Sequence, residues 1–288
     1  SPKDERLFYN LGVCCSRLGR YEEASSAYKK ALELRPGYWK AFFNLGTTYM
    51  RLGKFAAAEA LLSKAAGVTR AENAARAYMQ LGYLYSRENF LEKALRAYRK
   101  AVHFKPNYPE AWQNLALVLE KLGDLTEALD SARKALLLKE DSPRAVTTFA
   151  RLLIKSGRCE EAKAILKQAL NRDPTPARLW ELLAEAASEC NDIETAVSAY
   201  QKVASLEPKN TEAFLSLARL YRKKGMFSQA IDTLQKVLAL YPRLAKAWNS
   251  LGITYAEAEN YNQANSVTKK LSALILKEGL PLQFGSFP

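Results

Sequence analysis

Four side-chain amides recur along the chain at almost one interval: Asn10, Asn44, Gln80 and Asn114, separated by 34, 36 and 34 residues. An amide donates and accepts hydrogen bonds at once, so a row of them can hold a peptide backbone whatever its sequence. The same stretch carries Arg6, Arg17, Lys40, Arg51, Arg76 and Arg87, and the aromatics Tyr9, Phe43 and Tyr83. Cations steer anions, and aromatic rings grip side chains. This is the chemistry of binding.

Bond-making chemistry finds no comparable grouping. The only histidine, His103, falls near the end of a helical pattern beside Phe104 and Lys105. Acidic pairs such as Glu22/Glu23 and Glu160/Glu161 open helical patterns, where carboxylates favour the helix dipole. There is no phosphate-binding glycine loop, nucleophile elbow or metal-ligand spacing. We therefore expect no catalytic residue, no metal and no cofactor. Cys14 and Cys15 are adjacent, while Cys159 and Cys190 stand alone without a C-x-x-C spacing. The expectation is four reduced thiols and a cytoplasmic location. Ser1 to Arg6 is polar and charged, so no secretory signal is expected, and the missing initiator Met suggests a piece of a longer protein. No apolar run reaches the roughly 18 residues a membrane span needs.

The elements that position these residues follow from a repeat. An apolar-x-x-Leu-Gly/Ala motif begins at Phe8, Phe42, Tyr78, Trp112, Val146, Trp180, Phe214 and Trp248, in steps of 34 residues with a single step of 36. Sixteen residues after each leading residue stands an alanine, from Ala24 to Ala264, and proline closes five units at Pro36, Pro106, Pro174, Pro208 and Pro242. Apolar residues at i, i+3 and i+7 mark one helix face, and the small residues let two helices approach closely. Gly19, Gly53, Gly123, Gly157 and Gly225 lie between two helical patterns, where a positive φ ends the first helix. Each unit is a helix–turn–helix whose apolar face needs a neighbour stacked on it.

These motifs resemble the tetratricopeptide-repeat (TPR) family, over nearly the whole chain. The resemblance implies an all-α, right-handed α-solenoid of eight units at about 5–38, 39–74, 75–108, 109–142, 143–176, 177–210, 211–244 and 245–278, forming one domain, with a tail at 279–288. Two departures stand out. Arg70 replaces a proline and two extra residues precede the third unit, so a lengthened turn is expected at Thr69 to Ala74. The last unit has Thr268 in place of an aromatic, and its apolar face is expected to be covered by the tail through Leu280, Leu282, Phe284 and Phe287, or to serve self-association.

In TPR proteins the first helix of each unit turns its second, fifth, sixth, ninth, twelfth and thirteenth positions to a concave groove. The sixth position holds the four amides, then Thr148, Leu182, Ser216 and Ser250, so units one to four resemble the asparagine ladder of the O-GlcNAc transferase superhelix. The second position, usually acidic in the family, is basic in six units: Arg6, Lys40, Arg76, Arg144, Arg178 and Lys246. Residues 5–108 hold 18 basic and 8 acidic residues, within a formal net charge of +13 for the whole chain. Cations facing one groove repel one another unless an anion joins them. The carboxylate clamp of cochaperone TPR modules is incomplete: Asn44 and Arg76 fit, but Tyr9, Val13 and Gln80 replace its other members.

The function implied is a scaffold or adaptor binding an extended, acidic peptide in the first four units. Alternatives are a substrate-recognition arm of a larger enzyme, such as a glycosyltransferase, or a nucleic-acid-binding solenoid. The last is disfavoured because units four and six, each with a balance of −3, interrupt the basic track.

Overall fold

The computed structural model describes residues 4–278 and contains sixteen helices over them. Eight pairs follow the repeat: α1 (Glu5–Arg17) and α2 (Tyr21–Leu34), α3 (Trp39–Arg51) and α4 (Phe55–Gly67), α5 (Ala71–Arg87) and α6 (Leu91–Phe104), α7 (Pro109–Leu122) and α8 (Leu125–Leu138). Then come α9 (Pro143–Lys155) and α10 (Cys159–Arg172), α11 (Ala177–Glu189) and α12 (Ile193–Leu206), α13 (Thr211–Lys223) and α14 (Phe227–Leu240), α15 (Ala245–Glu257) and α16 (Tyr261–Glu278). The architecture is an α-solenoid of TPR helix pairs, divided into two compact units, Ser1–Leu152 and Leu153–Pro288. The tail at 279–288, expected to cover the last helix face, lies outside the described residues.

Each pair is closed by one residue in the left-handed region. Gly19, Gly53, Gly123, Gly157 and Gly225 take φ between 72° and 89°, as their places in the repeat predict. The three remaining turns use Asn89, Asn191 and Glu259 at φ 61°, 56° and 57°. Asparagine tolerates this region through local hydrogen bonding; glutamate there costs about 1–2 kcal/mol. A second periodic device is legible only in three dimensions. The indole Nε1 of Trp112, Trp180 and Trp248 donates to the carbonyl six residues back, at Pro106, Pro174 and Pro242, over 2.7–2.8 Å. The leading tryptophan thus fastens the incoming loop to its own helix.

Packing within a pair rests on the small residues. Ala24, Ala58, Ala94, Ala128, Ala162, Ala196 and Ala230 have no exposed surface. A Cβ placed on Gly12 would stand 2.5 Å from the Tyr28 ring, on Gly46 2.8 Å from Leu62, and on Gly82 2.5 Å from the Tyr98 ring. These three glycines make room for the large side chain of the opposite helix. The two extra residues before the third unit do not lengthen a turn. They join α5, which begins at Ala71 and runs for 17 residues where the other first helices have 13 or 14. Ala71, Ala74, Ala75 and Ala77 favour helix, so the insertion extends an element already forming.

Two thiols depart from the expectation of four free cysteines. Cys159, the first residue of α10, is disulfide-bonded to Cys190, the residue that caps α11, with Cα atoms 5.9 Å apart. Cys14, exposed, and Cys15, buried, are free. The partners are 31 residues apart, on the second helix of one pair and the end of the first helix of the next, a separation that a search for short-range spacings does not detect. The cytoplasmic expectation drew on reduced cysteines and on the lack of a secretory signal, and the bond bears on the first of these. Among the described residues Cys159, Glu160 and Cys190 also form the one grouping of potential metal ligands, but its two sulfurs are bonded to each other.

The same seam carries a buried lysine. Lys163, 8% exposed, places Nζ 2.9 Å from Asp192 Oδ2 and 2.9 Å from Glu160 Oε1. Asp192 also caps α12 by accepting from the Thr195 amide at 3.2 Å. The Lys163 hydrogen bond, seconded by Thr195, holds the Asp192 carboxyl down at about 2. A depressed pKa favours the fold above the unfolded carboxyl range, about 3.9, and that support fades as pH falls through the folded value. Asp192→Asn should therefore lower the urea midpoint at pH 7 and leave it nearly unchanged at pH 2. Parallel losses at both pH values would assign the effect to something other than the charge.

Candidate peptide-binding face

Within Ser1–Leu152 the first helices touch one another in order, α1 on α3, α3 on α5 and α5 on α7, building one continuous face. Residues three and four apart on a helix share a side, so each helix sets a short column of groove positions into this face. Between α1, α3 and α5 lies a cavity of about 500 Å³. Four predicted residues line it together: Arg51, Gln80, Tyr83 and Arg87. Tyr83 is 50% exposed, so its ring is available for contact. Met50, Met79 and Thr47 supply soft and polar wall, and Tyr21 reaches in from the start of α2. Tyr21 is not a first-helix residue, so a reading confined to first-helix positions does not find it.

The two arginines differ in readiness. Arg51 has no ion-pair partner among the described residues. The Arg87 guanidinium stacks over the Phe55 ring at 4.7 Å and stands 3.9 Å from the Glu88 carboxylate. Stacking on a ring orients a guanidinium without consuming its in-plane donors.

The other predicted residues fall into two groups. Arg6, Asn10, Arg17 and Lys40 are exposed and lie outside the cavity lining. Asn44, Asn114, Tyr9, Phe43 and Arg76 are engaged within the protein. Asn44 Nδ2 donates to the Tyr9 hydroxyl at 3.1 Å. Asn114 Nδ2 points to the Met79 sulfur at 3.7 Å, while its Oδ1 accepts from Arg144 at 3.4 Å. Burial pushes the Tyr28 and Tyr98 phenols up to about 12, and hydrogen bonding by Asn44 and Asn114 respectively pulls the other way. Both phenols therefore stay neutral, and the two amides join successive first helices, Asn44 through Tyr9 of α1 and Asn114 through Met79 of α5 and Arg144 of α9. Tyr9 packs against Tyr28 and Tyr38 at ring separations of 5.9 and 5.2 Å. Phe43 lies half-buried against the core, with the Arg76 guanidinium 5.4 Å from its ring centre. Of the four amides, Gln80 is the one that lines the cavity.

No helix among the described residues is long and apolar enough to cross a membrane. His103 is exposed at the end of α6, its ring edge-on to Phe104 at 5.4 Å. At the far end of the chain, α15 and α16 enclose an apolar cavity of about 500 Å³ lined by Trp248, Ile253, Leu271 and Leu276.

Comparison with known proteins bears on the family and the fold. The family model "Cytochrome c-type biogenesis protein H TPR domain" matches residues 104–213 and 164–279, and general tetratricopeptide-repeat models match 6–38, 27–60 and 82–123. A search of curated proteins finds no match. Among solved structures, the C-terminal part of a TPR repeat-containing protein from Cytophaga hutchinsonii superimposes with a TM-score of 0.72 at 16% identity, covering 84% of this chain and 99% of that one. PilF of Pseudomonas aeruginosa gives 0.60 at 22% identity over 77% of this chain and all of that one. YrrB, described as a TPR protein with an unusual peptide-binding site, gives 0.54 at 23% identity over 65% of this chain and 96% of that one. At these identities the structural likeness speaks for the fold, and the family models carry the assignment. The chain belongs to the tetratricopeptide-repeat family of protein-interaction scaffolds.

Proposed function

We propose that the face of α1, α3, α5 and α7 holds an extended, acidic peptide segment of a partner protein, and that the chain acts as a binding scaffold and not as an enzyme. The observation that carries this reading is the convergence of Arg51, Arg87, Gln80 and Tyr83 on one cavity. Two guanidiniums supply charge-assisted donors for a carboxylate, Gln80 can bond the peptide backbone, and Tyr83 offers a flat apolar surface. The exposed Arg6, Arg17 and Lys40 extend the positive field along the approach, which raises the encounter rate with an acidic segment. Peptide binding on a TPR scaffold also has a counterpart in the similar structure of YrrB.

The test is fluorescence anisotropy with a labelled ten-residue Asp/Glu-rich peptide at several salt concentrations. Arg51→Glu and Arg87→Glu should each weaken binding about tenfold and flatten its salt dependence. Gln80→Ala should weaken it less, by a factor that does not change with salt. Equal affinity in the wild type and both charge reversals would overturn the acidic-ligand reading. Asn44 and Asn114 are poor choices for this test, because their replacement removes hydrogen bonds that hold the repeats together.

A further inference from the structure

The unit Leu153–Pro288 contains a groove cavity of its own. It measures about 280 Å³ and lies between α13 and α15, two first helices in direct contact. Its polar lining comes from groove positions. Ser216, Arg219 and Arg222 form a column on α13 at three-residue intervals, and Lys246, Asn249 and Ser250 face them from α15. Glu212 and the fully buried Thr254 also line it, and Leu215, Ala218 and the fully buried Leu234 supply its apolar wall.

The polar groups are unevenly satisfied. Lys246 Nζ pairs with Glu212 Oε1 at 3.0 Å, both residues belonging to the lining. Arg222 Nε stands 2.9 Å from Glu257 Oε2, yet its N–H is not aimed at that oxygen, and the buried nitrogen has no hydrogen-bond acceptor. Arg219 is exposed and has no ion-pair partner among the described residues. Three cations stand against two carboxylates, leaving one unbalanced positive charge. That balance suits one carboxylate better than a dianionic phosphate, which Glu212 and Glu257 would repel.

We infer that this cavity is a second, separate acid-reading site, taking a single Asp or Glu side chain of a bound peptide. Arg219 and Arg222 hold the carboxylate, and Asn249 bonds the adjoining main chain. The site shares no residue with the cavity of Ser1–Leu152, so either can fail without the other.

Amide-resolved NMR of the full chain provides the test, with the capped tripeptide Gly-Glu-Gly as probe and Gly-Gln-Gly as its uncharged control. The backbone amides of Ala218 and Ser250 should shift and saturate with the glutamate peptide and stay still with the glutamine one. Arg219→Gln, an exposed position whose replacement leaves the core intact, should weaken that response about fivefold or more. In an Arg51→Glu/Arg87→Glu protein the response at Ala218 and Ser250 should persist while any response at Gln80 disappears. Equal shifts from both peptides, or an unchanged affinity in Arg219→Gln, would overturn the site. Tighter binding of a phosphoserine tripeptide would overturn its carboxylate assignment. Loss of the response in the Arg51→Glu/Arg87→Glu protein would overturn its independence.

Discussion

Reducing the Cys159–Cys190 disulfide should destabilise the unit Leu153–Pro288 by about 3–4 kcal/mol, the chain entropy released when a closed loop of this size opens in the unfolded state. The loop spans 31 residues and joins one helix pair to the next. In a solenoid each repeat is held by its neighbours alone, so a bond across one junction strengthens the coupling of the two repeats it joins. For a unit of this size the loss corresponds to a fall of roughly 10 °C in Tm. The folded seam should survive at low temperature, because Lys163 still bridges Asp192 and Glu160 there. Thermal unfolding followed by circular dichroism, with and without a phosphine reductant, measures the effect. A Cys159→Ser/Cys190→Ser protein should melt at the lower temperature under both conditions. Coincident melting of oxidised and reduced wild type would show that the bond contributes nothing.

Tyr98→Ala should cost about 3–5 kcal/mol, and a second change should return part of that loss. Tyr98 is 2% exposed, and its ring lies against the bare backbone of Gly82. Removing it leaves a cavity lined by α5 and α6, with both transfer and void penalties. Gly82→Ala alone should also destabilise, although alanine ordinarily improves a helix interior by about 1 kcal/mol. Its Cβ would stand 2.5 Å from Tyr98 Cε1 and 2.6 Å from Cδ1, and a buried ring cannot move aside. Overpacking of this kind costs about 1–3 kcal/mol, so the clash outweighs the propensity gain. In the double variant the clash is absent. It reproduces the pairing of the next repeat, where Ala116 and Ala132 are both fully or almost fully buried. The coupling between the two sites should therefore be favourable by about 1 kcal/mol or more in a urea-unfolding cycle. Simple additivity would show that the Gly82–Tyr98 contact does not set the helix separation.

Much of this architecture was legible in the chain itself. The interval of 34, the buried alanines and the five positive-φ glycines are consequences of helix geometry and burial, which act on residues close in sequence. Such patterns can be read before any neighbour is placed. Arg51, Gln80, Tyr83 and Arg87 were reachable through the resemblance to TPR proteins, which implies which positions of a first helix face the groove; helix geometry then keeps each such position on one side. Glu259 was not, since nothing in glutamate announces a left-handed turn; the short connection between α15 and α16 takes the conformation that glycine or asparagine supplies in the other seven turns.

What only the tertiary structure decided is how side chains with the same repeat position are used. Asn44, Gln80 and Asn114 are alike in sequence, yet Asn44 bonds Tyr9, Asn114 bonds Arg144, and Gln80 alone of the three lines the cavity. The choice depends on whether a neighbouring helix brings a partner within about 3 Å, a matter of interhelical distance and angle that a periodic pattern does not encode. The same holds for Cys159 and Cys190, which become neighbours only once α10 and α11 are packed. It holds too for the α13–α15 cavity, where Arg219 and Arg222 are unremarkable in sequence until the two helices face each other. Helical periodicity, a local property, makes the solenoid readable from its residues; the occupation of its surfaces is set by contacts between repeats, and those appear only when the chain is folded.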